Sequence, residues 1–224
     1  MESSKTTHLY VDGQVLKIRT IEQLHPQRAT VHRVTLESPS KFRTLIIKQE
    51  KDGWATEFEA EKEAYQKLKS LQGDVIPCLL GECQFNGSPA LILPDVGGST
   101  LHQIALSDST LSNEDLRALL HTALKTLYHQ GAEYWDQRLD NFIFREGRVV
   151  VVDLEQIQFW EEPGRWEDHD NFGGIGSLME AFRHARNPNE AESPIAIPLP
   201  PLHPTKLVQI WEAWELSDTT ELSC

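Results

Sequence analysis

Cysteine is scarce in this chain, with three residues in 224, and positive charge is outnumbered: 21 Lys and Arg stand against 34 Asp and Glu, a formal net charge of −13. Cys78, Cys83 and Cys224 are odd in number and match no C-x-x-C spacing, and the chain opens on no signal-like segment. A disulfide framework is therefore not expected, and reduced thiols in the cytoplasm are. A polyanion would meet net repulsion, so nucleic acid is not the expected partner. No run approaches the roughly 18 apolar residues that a membrane-spanning helix needs, so no membrane partner is expected either. The nine histidines do not cluster at zinc-ligand spacing, and no G-x-S-x-G elbow offers a hydrolase nucleophile.

What is present is a chain of 39% hydrophobic and 25% charged residues, long enough for one large domain or two small lobes sharing a cleft. Its first half alternates as strands do. Leu9 and Val11, then Val15 and Ile18, flank Asp12-Gly13, a hairpin signal; Val31, Val34 and Leu36 make a further strand, and Thr44-Leu45-Ile46-Ile47-Lys48 another. From about Thr56 to Leu71 the period becomes helical, with Phe58, Ala64, Tyr65, Leu68 and Leu71 on neighbouring faces and Glu61 on the same side. Asn86-Gly87 between Gln84-Phe85 and Ala90–Leu93 marks a second hairpin, and Pro94 to Gly98 read as a linker between halves.

The second half opens with Ser112 as a helix cap. Leu116, Leu119, Leu120, Ala123, Leu124 and Leu127 follow at helical spacing, and Gly131 ends the element. Phe142-Ile143-Phe144 and Val149 to Val152 flank Glu146-Gly147 as a hairpin that delivers Asp153 from its end. A further helix is expected from about Gly174 to His184. A proline-rich arm covers residues 187 to 204, and a last amphipathic helix runs from about Thr205 to Leu216 with Trp211 and Trp214 on one side.

Three polar positions close hydrophobic elements: Lys48, the Asp136/Asn141 loop, and Asp153, seventeen residues beyond Asp136 and after a hairpin. Phosphoryl transfer needs such a set, because charge on the transferred group must be neutralised while a carboxylate orients the attacking hydroxyl. Singly, each has a plain structural reading: Asp136 caps a turn, Asn141 occupies a left-handed position, Lys48 snorkels from a strand end, and Glu61 is one more solvated carboxylate.

In this order and spacing the residues resemble the protein-kinase-like superfamily, closest to its aminoglycoside- and choline-type small-molecule phosphotransferases, over about residues 31 to 185. That resemblance implies an α+β, two-lobed fold: a small antiparallel-sheet N-lobe over 1–96, a truncated and mainly helical C-lobe over 97–186, and an arm and helix over 187–224. It implies that Lys48 serves the nucleotide phosphates with Glu61 as its helix partner and Glu57 as a fallback. It implies further that Leu93, Pro94 and Val96 form the adenine-side strand, that Asp136 is the base and Arg138 a phosphate contact, and that Asn141, Asp153 and Glu155 arrange Mg²⁺ beside ATP.

The sequence departs from the pattern in two places. No glycine occurs between Gln23 and Val31, where Arg28 or His25 would have to compensate, and Tyr134-Trp135 replaces the usual pair before the catalytic Asp. Between Leu154 and Gly176 there is no Ser, Thr or Tyr, there is no A-P-E, and the helical set is short, which favours a small-molecule acceptor over a protein. Trp160, Glu161, Glu162, Trp166, Glu167, Asp168 and Asp170 interleave aromatic and acidic side chains, a mixture suited to an amine-bearing acceptor or simply to a solvated loop. Two further readings stay open: a nucleotide-binding module without chemistry, and non-phosphoryl chemistry on a borrowed fold. The sequence leaves the oligomeric state open.

Overall fold

Alternation along the first fifty residues produces four strands: β1 (His8–Val11), β2 (Gln14–His25), β3 (Arg28–Leu36) and β4 (Thr44–Gln49). Strand β1 pairs with β2 up to Val11↔Gln14; Asp12-Gly13, the expected turn, lies outside the described residues. Strands β2 and β3 pair antiparallel as far as His25↔Arg28, in the stretch where the sequence carries no glycine. The computed structural model describes residues 8–11, 14–25, 28–37, 42–107, 109–161 and 174–188. All of these belong to one unit, Met1–Pro188; a second, Asn189–Cys224, lies outside the described residues together with most of the expected proline-rich arm and the final helix.

Helix α1 (Ala55–Lys67) follows β4 and ends in a 3-10 turn at Lys69–Leu71. Strands β5 (Gly81–Phe85) and β6 (Ser88–Pro94) then form the Asn-Gly hairpin. Asn86 at φ 51° and Gly87 at φ 89° give two successive left-handed residues, the turn whose twist matches paired strands. The order β1-β2-β3-β4-β6-β5 makes a six-stranded antiparallel sheet, and its edge strands β1 and β5 approach one another, so it curls into a nearly closed barrel. Because side chains alternate along a strand, one face of each fills the interior: Leu9, Val11, Val34, Leu36, Leu45, Ile47, Phe85, Ala90 and Ile92 form one buried cluster. The opposite face of β4 and β6 carries Ile46, Lys48, Leu91 and Leu93, with Lys48 paired to Leu91 and Ile46 to Leu93.

Beyond Pro94 come β7 (Ser99–Thr100), α2 (Leu101–Ala105), α3 (Asn113–His129), β8 (Ala132–Tyr134), β9 (Phe142–Arg145), β10 (Arg148–Val151), β11 (Ile157–Phe159) and α4 (Gly174–Arg186). Helix α3 starts where Ser112 Oγ accepts the Asp115 amide at 3.0 Å, and it buries Leu116, Leu120, Ala123, Leu124 and Leu127. Sheets β10-β9-β7 and β11-β8 complete the unit.

The expected fold class is overturned. A small sheet lobe followed by a mainly helical lobe is not what forms: among the described residues eleven strands accompany four α-helices, one of them five residues long. Among the described residues between Gly97 and Arg186, α3 and α4 are the substantial helices and five strands accompany them, so the described part of the chain is mostly antiparallel sheet with a nearly closed, barrel-like sheet. The hairpin of Phe142–Arg145 with Arg148–Val151 forms as expected, and the short segments at 132–134 and 157–159 add a ladder that was not expected in this half. No helix among the described residues is long and apolar enough to cross a membrane.

Candidate functional site

Lys48 is delivered by the period of β4. With Leu45 and Ile47 filling the barrel, Ile46 and Lys48 must lie on the face that α1 covers. Lys48 is 5% exposed and Glu61 fully buried, a placement that charged side chains tolerate only when paired. The pairing is complete: Lys48 Nζ donates to Glu61 Oε2 at 2.5 Å and to Asp153 Oδ1 at 2.6 Å, and lies 3.0 Å from Glu155 Oε1. Burial disfavours the ammonium, but the three carboxylates outweigh it and hold Lys48 above the ordinary lysine range. Burial pushes the Glu61 carboxyl up, against the pull of Lys48.

Two of these carboxylates also organise the backbone and a second cation. Glu61 Oε1 accepts the Leu154 amide at 3.2 Å, tying α1 to the turn that follows β10. Glu155 Oε2 lies 2.6 Å from Lys51 Nζ. Asp153 itself adopts a left-handed conformation, φ 66° and ψ 72°, uncommon for a residue with a Cβ and tolerated best by Asp and Asn. That strain turns its carboxylate back toward Lys48. Ligand oxygens of Glu61, Asp153 and Glu155 lie within 4.8 Å of one another, a set of hard donors.

The loop after β8 meets this cluster through Arg138. Its guanidinium grips Asp136 with two parallel hydrogen bonds, Nε to Oδ1 at 2.7 Å and Nη2 to Oδ2 at 2.6 Å, and Nη2 lies 3.7 Å from Asp153 Oδ2. The Asp136 bond holds Arg138 more firmly protonated. Asn141 is fully buried at the end of a 3-10 turn; its Nδ2 donates to the Asp136 carbonyl at 3.0 Å, and its own carbonyl accepts the Val152 amide at 2.9 Å. Lys48, Glu61, Asp136, Arg138, Asn141, Asp153 and Glu155, widely separated in the chain, thus form one connected network.

Tyr134-Trp135, the pair in which the sequence departed from the expected pattern, supplies structural support. The Tyr134 hydroxyl donates to the Val152 carbonyl at 2.9 Å, with the Asp153 carbonyl at 3.2 Å, and the Trp135 amide donates to Gln156 O at 3.1 Å. The loop is therefore tied to the segment that carries Asp153 and Glu155. Sequence reasoning missed this, although a tyrosine at a buried strand end needs a partner for its hydroxyl. It also missed Lys51 and the capacity of Glu61 to join a ligand set.

The residues expected on the adenine side lie on neighbouring positions of β6 and just beyond. Leu93, 7% exposed, shares the sheet face of Lys48; Pro94 pairs with Leu45; and the Val96 carbonyl accepts from Arg145 Nη1. Glu57, the fallback partner, makes no contact that competes with Glu61 for Lys48. The side chains of His25 and Arg28 and residues 162–170 lie outside the described residues. Trp160 Nε1 donates to Glu133 at 2.9 Å.

No family model matches the chain. One curated relative, described as a meiotic driver, SPOK2, from Podospora anserina, is 24% identical over 126 residues, covering 54% of this chain and 16% of that protein. The chain therefore spans about one sixth of that relative's length.

Proposed function

We propose that the network around Lys48 is a phosphoryl-transfer site that moves the γ-phosphoryl group of ATP to a hydroxyl of a small molecule. The observation that carries this reading is the single buried ammonium held by three carboxylates from α1 and the 153–155 turn, with a second carboxylate loop joined to it through Arg138. A structural ion pair needs one partner; a phosphate site needs a fixed cation beside hard oxygen donors.

In this reading Lys48 contacts the nucleotide phosphates, and Glu61 fixes it from below. Asp153 and Glu155 would hold Mg²⁺, which takes one or two protein carboxylates and completes its shell with phosphate oxygens and water. When bound, the ion supplies charge neutralisation for the transferred group. Asp136 orients the acceptor hydroxyl and receives its proton; Arg138, 60% exposed at its side chain, is free to swing from Asp136 to a phosphate oxygen. Asn141 keeps the loop backbone in register with Asp153. The acceptor is read as a small alcohol, and ATP dependence suits the cytoplasm, where Cys78 and Cys83 remain as free thiols.

A second reading, nucleotide binding without transfer, is favoured by one feature: both carboxylate oxygens of Asp136 are engaged by Arg138. Two variants separate the readings. Asp136→Ala is expected to lower phosphoryl transfer to an alcohol panel by about 10²–10⁴-fold while leaving calorimetric Mg-ADP binding intact. Asp153→Ala is expected to remove the metal-dependent part of that binding. Unchanged turnover in Asp136→Ala would refute its role, and Mg-ATP binding by the wild type with no ATP consumption across the panel would establish the second reading.

A further inference from the structure

The phosphoryl-transfer reading gives no role to Lys51, yet this residue is held on two sides at the edge of the cluster. Strand β4 ends at Gln49, and a turn follows in which the Trp54 amide donates to the Lys51 carbonyl at 2.9 Å and Gly53 takes φ 77°. That turn sets Lys51 Nζ 4.8 Å from the centre of the Trp54 ring on one side and 2.6 Å from Glu155 Oε2 on the other. The second oxygen of Glu155, Oε1, faces Lys48 at 3.0 Å.

Both Glu155 oxygens therefore already face ammonium groups. The other two carboxylates are similarly engaged: Glu61 by Lys48 and the Leu154 amide, Asp153 by Lys48 with Arg138 beyond. Three carboxylates against Lys48 and Lys51 leave one net negative charge. A divalent cation arriving alone must displace an ammonium and then sit beside two positive charges in a poorly hydrated place. A polyphosphate arriving with it gives both ammonium groups a new anion and frees the carboxylate oxygens for the metal.

We propose that Lys51 is a positioning residue that withholds Glu155 from a lone divalent cation and so couples cation binding to polyphosphate binding. The inference rests on the phosphoryl-transfer reading of the same site. Its consequence is that the cluster stays closed on itself until nucleotide and metal are both present, which prevents a lone ion from occupying it.

The test measures Mn²⁺ affinity by calorimetry on the full chain, without nucleotide and at saturating ADP, for wild type, Lys51→Met, Lys51→Arg and Trp54→Ala. Wild type should bind Mn²⁺ at least about tenfold more tightly when ADP is present, within the usual span of coupling between sites. In Lys51→Met, Mn²⁺ alone should bind several-fold more tightly and the coupling should fall to about threefold or less, with Lys51→Arg restoring it. Trp54→Ala, at a ring that is 42% exposed, leaves the buried charges intact and should give intermediate coupling even if Lys51→Met fails to fold. Unchanged coupling in Lys51→Met, or in Trp54→Ala where that variant stands alone, overturns the role of Lys51 and leaves the phosphoryl-transfer reading standing. Wild type that binds neither Mn²⁺ nor ADP overturns both.

Discussion

The Lys48 cluster and the Asp136–Arg138 pair hold the same kinds of charge and differ in their surroundings. Arg138 grips Asp136 in the better geometry, two parallel hydrogen bonds of 2.7 and 2.6 Å, but its side chain is 60% exposed. Lys48 divides one ammonium among three carboxylates, and its side chain is 6% exposed. Water reaches the first pair from the Arg138 side, although Asp136 is itself only 15% exposed, and screens it in part; nothing replaces the partners of the second. Burial, rather than bond geometry, thus decides which interaction the fold depends on. The contrast suits a site in which one half holds a fixed charge and the other must exchange partners with an arriving molecule.

Charge-removing substitutions on the two sides offer the sharpest way to break this comparison. Lys48→Met leaves Glu61, Asp153 and Glu155 facing one another with Lys51 beside Glu155 and Arg138 at 3.7 Å from Asp153, and breaking a buried pair from one side costs about 3–5 kcal/mol. Arg138→Ala removes the better-shaped pair but leaves Asp136 open to water from the Arg138 side, and should cost less, about 1–2 kcal/mol. Urea denaturation of both variants at neutral pH measures the difference. Equal losses would mean that the two regions are energetically alike and that the division between a fixed and an exchangeable half is wrong.

How much of this was legible in the sequence follows from the length of each signal. The hairpins at Asn86-Gly87 and Glu146-Gly147 were readable because a two-residue turn with positive φ leaves a composition mark, and α3 because its apolar stripe runs for several turns. Strands β7, β8 and β11, of two or three residues, and the five-residue α2 are too short for any period to register. Those short ladders are what turn the second half from mainly helical to largely sheet. A resemblance carried by a handful of polar residues could order the site without specifying the elements between them. Lys48 and Asp153 were legible as strand-end charges. Lys51 was not, because it lies past the strand end in a turn that carries no chemical motif.

Two buried tyrosines allow the same principle to be tested with no charge involved, and with smaller effects. Burial raises both phenols well above the ordinary tyrosine range, so both are neutral hydroxyls. The Tyr134 hydroxyl has a partner, the Val152 carbonyl at 2.9 Å, and through it braces the loop against the turn at Asp153. The Tyr65 hydroxyl, fully buried one helical turn beyond Glu61, has no hydrogen-bond partner among the described residues. Tyr134→Phe should therefore cost about 1–2 kcal/mol, since it takes the donor from a part-buried carbonyl, whereas Tyr65→Phe should be neutral or slightly stabilising, since it removes a polar atom that gains nothing. Thermal denaturation of the two variants gives the ranking. A Tyr65→Phe loss as large as that of Tyr134→Phe would mean that its hydroxyl is satisfied by buried water, and that the wall of the site between Glu61 and the core is wetter than its side chains imply.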